Sequence, residues 1–256
     1  MISLLKSKSE FFNRRALYIS ADKLSVYHWQ KGELGSSYLF DKDDNGRKNF
    51  ERYLNESENT PLYILVDVIE EEFRRDTIPH VFGADRQALI KRKQARLFRD
   101  ANYLYTLNNG REEDGRRDDR LLFMALTNQE NIRPWVEMLA EYKVPLKGII
   151  SVPLLLQSYI KALPDVSDNA LFVTMQSISG LRQTFFLNKE LQISRLSKLP
   201  RFGTTSYAVK IINEVEKIQR YLNSLRLLQN ETQLDVYLLA DRSTLEELEA
   251  ETVSSP

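Results

Sequence analysis

LFVTMQSISGLRQTFFLNKELQISRL, residues 171–196, alternates apolar and polar side chains in three short runs broken at residues 177–180 and at Asn188–Lys189. That pattern predicts a meander of three antiparallel strands. Residues 15–40, RALYISADKLSVYHWQKGELGSSYLF, repeat the plan, with turns expected at Ala21–Asp22 and Lys31–Gly32. The two stretches start about 155 residues apart and share no residue motif, so the repeat is one of fold.

The segments after each meander extend the repeat. After the first, GRKNFERYLNES places Phe50, Tyr53 and Leu54 at helical spacing, and LYILVDV (62–68) reads as a strand covered on both faces. After the second, a helix is expected from Thr204 or Thr205 to about Leu228, with Ile211, Val215, Ile218, Leu222 and Leu225 on one face. LDVYLLA (234–240) then reads as a second buried strand, and STLEELEAE as a helix. The apolar face of the long helix suits packing on its own sheet better than a coiled coil.

Between the halves lie a helix expected at 129–142, a strand LKGIIS and a helix from about Val152 to Leu163, with Pro153 in its permitted first turn. Residues 70–119 are densely and evenly charged and read as an insertion. Asp85 is expected to cap a helix running to about Phe98, whose polar face carries Arg86, Lys91, Arg92, Lys93, Arg96 and Arg99. YLYTL and RLLFMALT are expected to pair around the loop NNGREEDGRRDD. The domain reading is a first lobe at 1–163, with the charged subdomain at about 70–120, and a second lobe at 164–256 after the polar linker ALPDVSDN.

Composition excludes several classes. The 36 basic and 36 acidic residues cancel, so no whole-molecule field attracts nucleic acid or an anionic membrane. The absence of cysteine removes disulfides, thiolate metal sites and a cysteine nucleophile. MISLLKSKSEFFNRR lacks the apolar core of a signal peptide, and no apolar run is long enough to span a bilayer, so a soluble chain is expected. Its end, EELEAETVSSP, reads as a cut within a longer protein.

The order of elements resembles the actin/Hsp70/sugar-kinase superfamily, an α/β, duplicated actin-like (ribonuclease H-like) fold of two lobes. Within it, SADKLSVYHW, GIISVPLLLQSYI, GLRQTFFLNKEL and EVEKIQRYLNSLRL resemble the actin-like cytoplasmic proteins of type IV pilus assembly and the cytoplasmic domains of type II secretion platform proteins. Active members carry a D-x-G loop in each meander's first turn, whose glycine admits a phosphate to backbone N–H groups. Here the first turn is Ser20-Ala21-Asp22-Lys23, without glycine, and the second runs Thr174, Met175, Gln176, Ser177, Ile178, Ser179, Gly180, without an acid. Ala240-Asp241-Arg242 stands where a nucleotide binder favours glycine. The nine glycines include no Gly-Gly and no Gly-x-Gly. The nucleotide site is therefore read as degenerate, with no cofactor, metal or catalytic residue expected and the positions Ser20, Asp22, Thr174, Gln176, Ser177 and Gly180 predicted vacant.

Bland readings win at the other acids and histidines. Asp67 is expected to be a strand-end carboxylate bonded to a turn, and Asp22 a turn aspartate. His28 and His80 are not spaced as metal ligands or as a Ser-His pair. Glu112, Glu113, Asp118 and Asp119 are expected to be solvated and paired with loop arginines. The basic helix face is the candidate partner surface, without interleaved aromatics for nucleic acid.

What the resemblance implies is a non-catalytic scaffold at the cytoplasmic face of the inner membrane. It would link a cytoplasmic secretion or pilus ATPase to inner-membrane assembly proteins, pair with itself as a homodimer, and touch the membrane only through a segment missing from this chain. The alternative is an ATP-binding soluble actin-like pilus protein, with Asp22 and Ser177 near a phosphate. A stand-alone carbohydrate or acyl enzyme is disfavoured because no acid/base or nucleophile constellation is present.

Overall fold

The computed structural model describes residues 14–176, 179–198, 207–228 and 233–254. In chain order the elements are β1 (Arg14–Ile19), β2 (Lys23–Gln30), β3 (Glu33–Asp41), α1 (Asp44–Glu56), β4 (Leu62–Val66), β5 (Glu71–Ile78), α2 (Gly83–Leu97), β6 (Tyr103–Arg111) and β7 (Asp119–Leu126). They continue with a 3-10 turn (Gln129–Asn131), α3 (Arg133–Glu141), β8 (Leu146–Ser151), α4 (Val152–Ala162), β9 (Asn169–Gln176), β10 (Gly180–Leu187), β11 (Glu190–Ser197), α5 (Tyr207–Ser224), β12 (Asp235–Leu239) and α6 (Arg242–Ser254). The chain divides into two compact units, residues 1–68 with 129–152, and 69–128 with 153–256.

Each unit contains the expected repeat. The first has the sheet β3-β2-β1-β4-β8 and the second β11-β10-β9-β12, in each of which an antiparallel meander is joined by a parallel strand. The likeness extends to detail. Both middle strands have eight residues and a bulge after the sixth, between His28 and Trp29 and between Phe185 and Phe186. Both are followed by two-residue turns with positive φ at each position, Lys31 and Gly32 in one, Asn188 and Lys189 in the other. Such turns match the right-handed twist of the strands they connect.

In the first unit, Asp43 caps α1 by accepting from the Gly46 N–H at 2.7 Å. Gly46 is required by space: a Cβ there would lie 1.9 Å from the carbonyl oxygen of Asp41. The helix buries Phe50, Tyr53 and Leu54, and Phe50 packs edge-on against Phe40 and Trp135. Leu17, Ile19, Leu24, Val26, Leu62 and Ile64 complete a dry interior from the sheet. Burying each such side chain is worth about 1.5 to 3 kcal/mol, more than local propensity contributes.

The second unit has two sheets. α5 sets Ile211, Ile218 and Leu222 against Leu171, Val173, Leu181 and Phe185. The opposite faces of β9 and β10 meet α4 and the three-stranded sheet β5-β7-β6, through Phe172, Phe186, Ile160, Leu122 and Met124. α2 covers the far side of that small sheet with Ile90 and Phe98. β10, covered on both faces, is buried along almost its whole length.

The partition differs from the expected lobes in two places: the charged insertion and α4 both pack with the second sheet. Other differences are local. β5 is a strand that EEFRRDTI did not announce, because an edge strand with polar side chains on both faces has no apolar alternation to read. β12 is not a buried strand: it is an edge, with Val236 and Leu239 exposed. Asp85 lies inside the first turn of α2, whose cap is Phe82. Residues 129–142 split into a 3-10 turn and α3. α5 ends at Ser224, leaving Leu225 outside the apolar face, and its expected start at 204–205 lies outside the described residues.

Candidate functional site

The first meander's turn is closed on itself. Ser20 is fully buried; its hydroxyl accepts from the Lys23 N–H at 3.2 Å and donates to the Lys23 carbonyl at 3.0 Å, while its own N–H donates to the same carbonyl at 3.1 Å. The side chain that could reach a phosphate is thereby used. Asp22 is exposed in the bend, and neither it nor Ala21 is the glycine a phosphate loop carries there.

The corresponding turn of the second unit is built differently. Thr174 and Gln176 lie on β9, in register with Arg182 and Gly180 of β10. Gly180 has φ of +117°, a conformation in which glycine is the natural residue. Ser177 lies outside the described residues. Neither turn, taken by itself, combines an acid with a glycine.

Two neighbouring acids are structural. The Asp67 carboxylate is buried and accepts a hydrogen bond from the Tyr18 hydroxyl, while its N–H donates to Ile19 at 2.9 Å. Asp241 caps α6: it accepts from the Thr244 N–H at 3.1 Å and from the hydroxyls of Ser243 and Thr244 at 2.5 and 2.9 Å. Those bonds, the Ser243 hydroxyl foremost, pull its carboxyl down to about 2. An N-cap is thus formed where a nucleotide binder favours glycine. These residues do not fit a nucleotide held in the manner of the active superfamily members.

The basic face of α2 is partly neutralised within its own unit. Arg86 pairs with Asp119 at 3.3 Å, and Lys93 and Arg96 both pair with Asp76. Lys91, Arg92 and Arg99 are exposed, and among the described residues they form no ion pair. Asp119 departs from the expected solvated loop acid. It is 3% exposed at the start of β7, accepting from His80 at 2.7 Å and lying 3.6 Å from Arg111. Burial alone would raise its carboxyl; the hydrogen bonds and charges of His80 and Arg86 outweigh that and hold it below the usual range. Asp118 is the half-buried member, paired with Arg116 at 2.8 Å.

A cavity of about 520 Å³ opens in the first unit, at the end of β1 opposite the Ser20 turn. Arg15 lies in its wall at 2% exposure. Its guanidinium donates to the Tyr53 hydroxyl at 3.3 Å, the Ser57 hydroxyl at 3.0 Å and the Thr60 carbonyl at 2.6 Å, and its buried Nε has no hydrogen-bond partner. The Tyr53 hydroxyl, which accepts from Arg15, also lies within hydrogen-bond distance of His28 Nε2, at 2.6 Å. Burial first, and the Arg15 charge second, push the His28 imidazole below its usual range, against a smaller opposing pull from Glu58.

Aromatic rings form the rest of the wall. The Tyr38 ring lies tilted at 5.0 Å from Tyr53 and 5.5 Å from His28, and Trp29 also lines the cavity. Nothing in the residue pattern pointed to this cavity, because its parts come from β1, β2, β3 and the C-terminal end of α1. The one available signal was an arginine opening an otherwise apolar central strand.

No protein-family model matches the sequence, and no curated protein matches it. Solved structures do. One chain of the PilM–PilN type IV pilus biogenesis complex is similar with a TM-score of 0.63 at 12% identity, covering 94% of this chain and 85% of that one. A Bacteroides thetaiotaomicron protein with an actin-like ATPase fold and unknown function is similar with a TM-score of 0.53 at 11% identity, covering 97% and 90%. Identity at that level establishes the fold: this chain has the actin-like fold its repeated meanders predicted.

Proposed function

We propose that the chain is a non-catalytic actin-like scaffold of a pilus-assembly or type II secretion-like machine. In this reading it acts at the cytoplasmic face of the inner membrane and couples a cytoplasmic assembly ATPase to membrane partners. The observation that carries the proposal is the first turn, where Ser20 commits its hydroxyl to Lys23 and no glycine is present. A fold of this class that has lost its phosphate contacts retains its surfaces, and binding then becomes the function. The likeness to a pilus biogenesis protein supports the choice of machine. Lys91, Arg92 and Arg99 are the part of the basic face left for an acidic partner.

Calorimetric titration with Mg-ATP tests this directly. No heat of binding at high micromolar nucleotide is expected. Micromolar affinity would overturn the scaffold reading in favour of an ATP-binding soluble pilus protein. Charge reversal at Lys91, Arg92 and Arg99 together is expected to weaken binding to an acidic probe such as a poly-glutamate peptide, leaving the fold intact.

A further inference from the structure

We propose that the cavity of the first unit, walled by α1, β2 and β3, binds a neutral polyhydroxylated ring, a hexose or a hexosyl group. The inference does not depend on the proposed scaffold role. Its first basis is charge. Arg14 already has a partner, and the other charged groups of the wall, Arg15 and Arg52 against Glu56 and Glu58, cancel. Charge therefore selects neither an anion nor a cation. The Arg15 guanidinium is 2% exposed and already bonded to Tyr53, Ser57 and Thr60, so it closes the wall and offers a ligand no contact.

The second basis is the set of polar side chains left uncommitted around the cavity. Gln30, Ser36, Asn49, Arg52 and Glu56 line it, and among the described residues none of these side chains has a hydrogen bond or an ion pair. Asn49, Arg52 and Glu56 stand three and four residues apart on α1, so they share one face of the helix. Amide, guanidinium and carboxylate groups are planar, with paired donors or acceptors, and a hydroxyl both donates and accepts. Neighbouring hydroxyls of a sugar ring can satisfy all of them. The third basis is the aromatic wall. Tyr38 is 44% exposed, its ring tilted at 47° to Tyr53 and 59° to His28, which themselves meet at 87°. No two of the three are parallel, so they form no slot for a flat base, whereas one open ring suits the apolar C–H face of a sugar. The volume of about 520 Å³ is that of a small-molecule site. The cavity lies the length of β1, about 15 to 20 Å, from the Ser20 turn, away from where an actin-like fold would hold nucleotide phosphates.

Trp29 supplies one readout, since it lines the cavity and the other tryptophan, Trp135, is buried in the core. Saturation-transfer NMR on the ligand supplies another. The probes are the methyl glycosides of glucose, galactose and mannose. At least one should bind saturably, with a dissociation constant on the order of 1 to 10 mM for so small a ligand. The 6-carboxylate and 2-ammonium analogues of the sugar that binds should each bind at least about fivefold more weakly, because the neutral wall cannot balance their charge. Tyr38→Ala and Asn49→Ala should each weaken binding by a similar factor of about five or more. They lie on different elements, so if one variant fails to fold the other still carries the test.

The disaccharide of the sugar that binds separates the sources of the ring. Tighter binding than the methyl glycoside assigns the site to a glycan, and equal or weaker binding assigns it to a free sugar. The proposal is overturned if none of the three glycosides binds saturably, if a charged analogue binds more tightly than its neutral parent, if adenosine binds more tightly than every sugar, or if binding is unchanged in a folded Tyr38→Ala or Asn49→Ala variant.

Discussion

Among the described residues two arginines are almost wholly buried, one in each unit, and they are accommodated in opposite ways. Arg182 stands on the central strand β10, where its guanidinium meets Glu71 of β5 at 2.8 Å and the Ser194 hydroxyl at 3.1 Å. Arg15 stands on β1, reaches only neutral oxygens and borders a cavity. The meanders that hold them share bulge and turn, so the difference arises in what covers each. The second meander is enclosed by α5 on one face and by α4 with the inserted sheet on the other, and the insertion brings Glu71 with it. In the first, β3 is an exposed edge, and the ground beside Arg15 stays open. A charge that meets a carboxylate inside one copy of the repeat thus meets only neutral oxygens in the other.

The largest difference is expected at the buried pair itself. Arg182→Met removes the buried 2.8 Å ion pair with Glu71 and should destabilise the second unit by about 3 kcal/mol, seen as faster amide exchange in β9 and β10. Arg15→Met strands no charge, so its cost to the first unit should be only about 1 to 2 kcal/mol, from the lost bonds to Ser57 and Thr60. Both tryptophans lie in the first unit, so their fluorescence in urea follows that unit. Equal costs for the two substitutions would refute the distinction. Between these in size, Gly46→Ala drives a Cβ into the Asp41 carbonyl and should cost about 2 to 3 kcal/mol in the same fluorescence assay.

Smaller effects separate the two hairpin turns. Lys31 has φ of +54° and is exposed, so Lys31→Gly should stabilise the first unit by about 1 kcal/mol. The equivalent change Lys189→Gly should yield no gain, because the Lys189 ammonium donates to the Leu163 and Pro164 carbonyls at 2.6 and 3.2 Å. The smallest effect is one of pH. The folded first unit holds His28 below 6.5, so the unfolded chain takes up the proton more readily. Stability reported by tryptophan should be full above about pH 7 and decline as pH falls through 6.5 toward the lower folded value, and His28→Gln should flatten that decline. Asp76 and Asp119, held below 3.8, keep their contribution to the second unit until more acidic pH.

Much of the fold was legible because it rests on periodicity. Alternation marked both meanders, the NK and KG dipeptides marked their tight turns, and helical spacing marked Phe50, Tyr53 and Leu54. The missing glycines were equally legible, since glycine leaves no substitute where a backbone must approach a phosphate. β5 was not, because its polar residues owe their strand to pairing with β7. Asp119 read as one of a run of loop charges, and only the fold brings His80, Arg86 and Arg111 around it.

Local chemistry therefore dictated the repeat, its turns and the absence of Gly-Gly and Gly-x-Gly pairs, all of which depend on residues close together in the chain. The grouping of the insertion with the second sheet, the partner that Arg182 finds and Arg15 lacks, and the cavity itself depend on side chains brought together from tens of residues apart. Burial of apolar surface chooses those neighbours, and the cost of an unpaired charge in a dry interior decides what each of them must then satisfy.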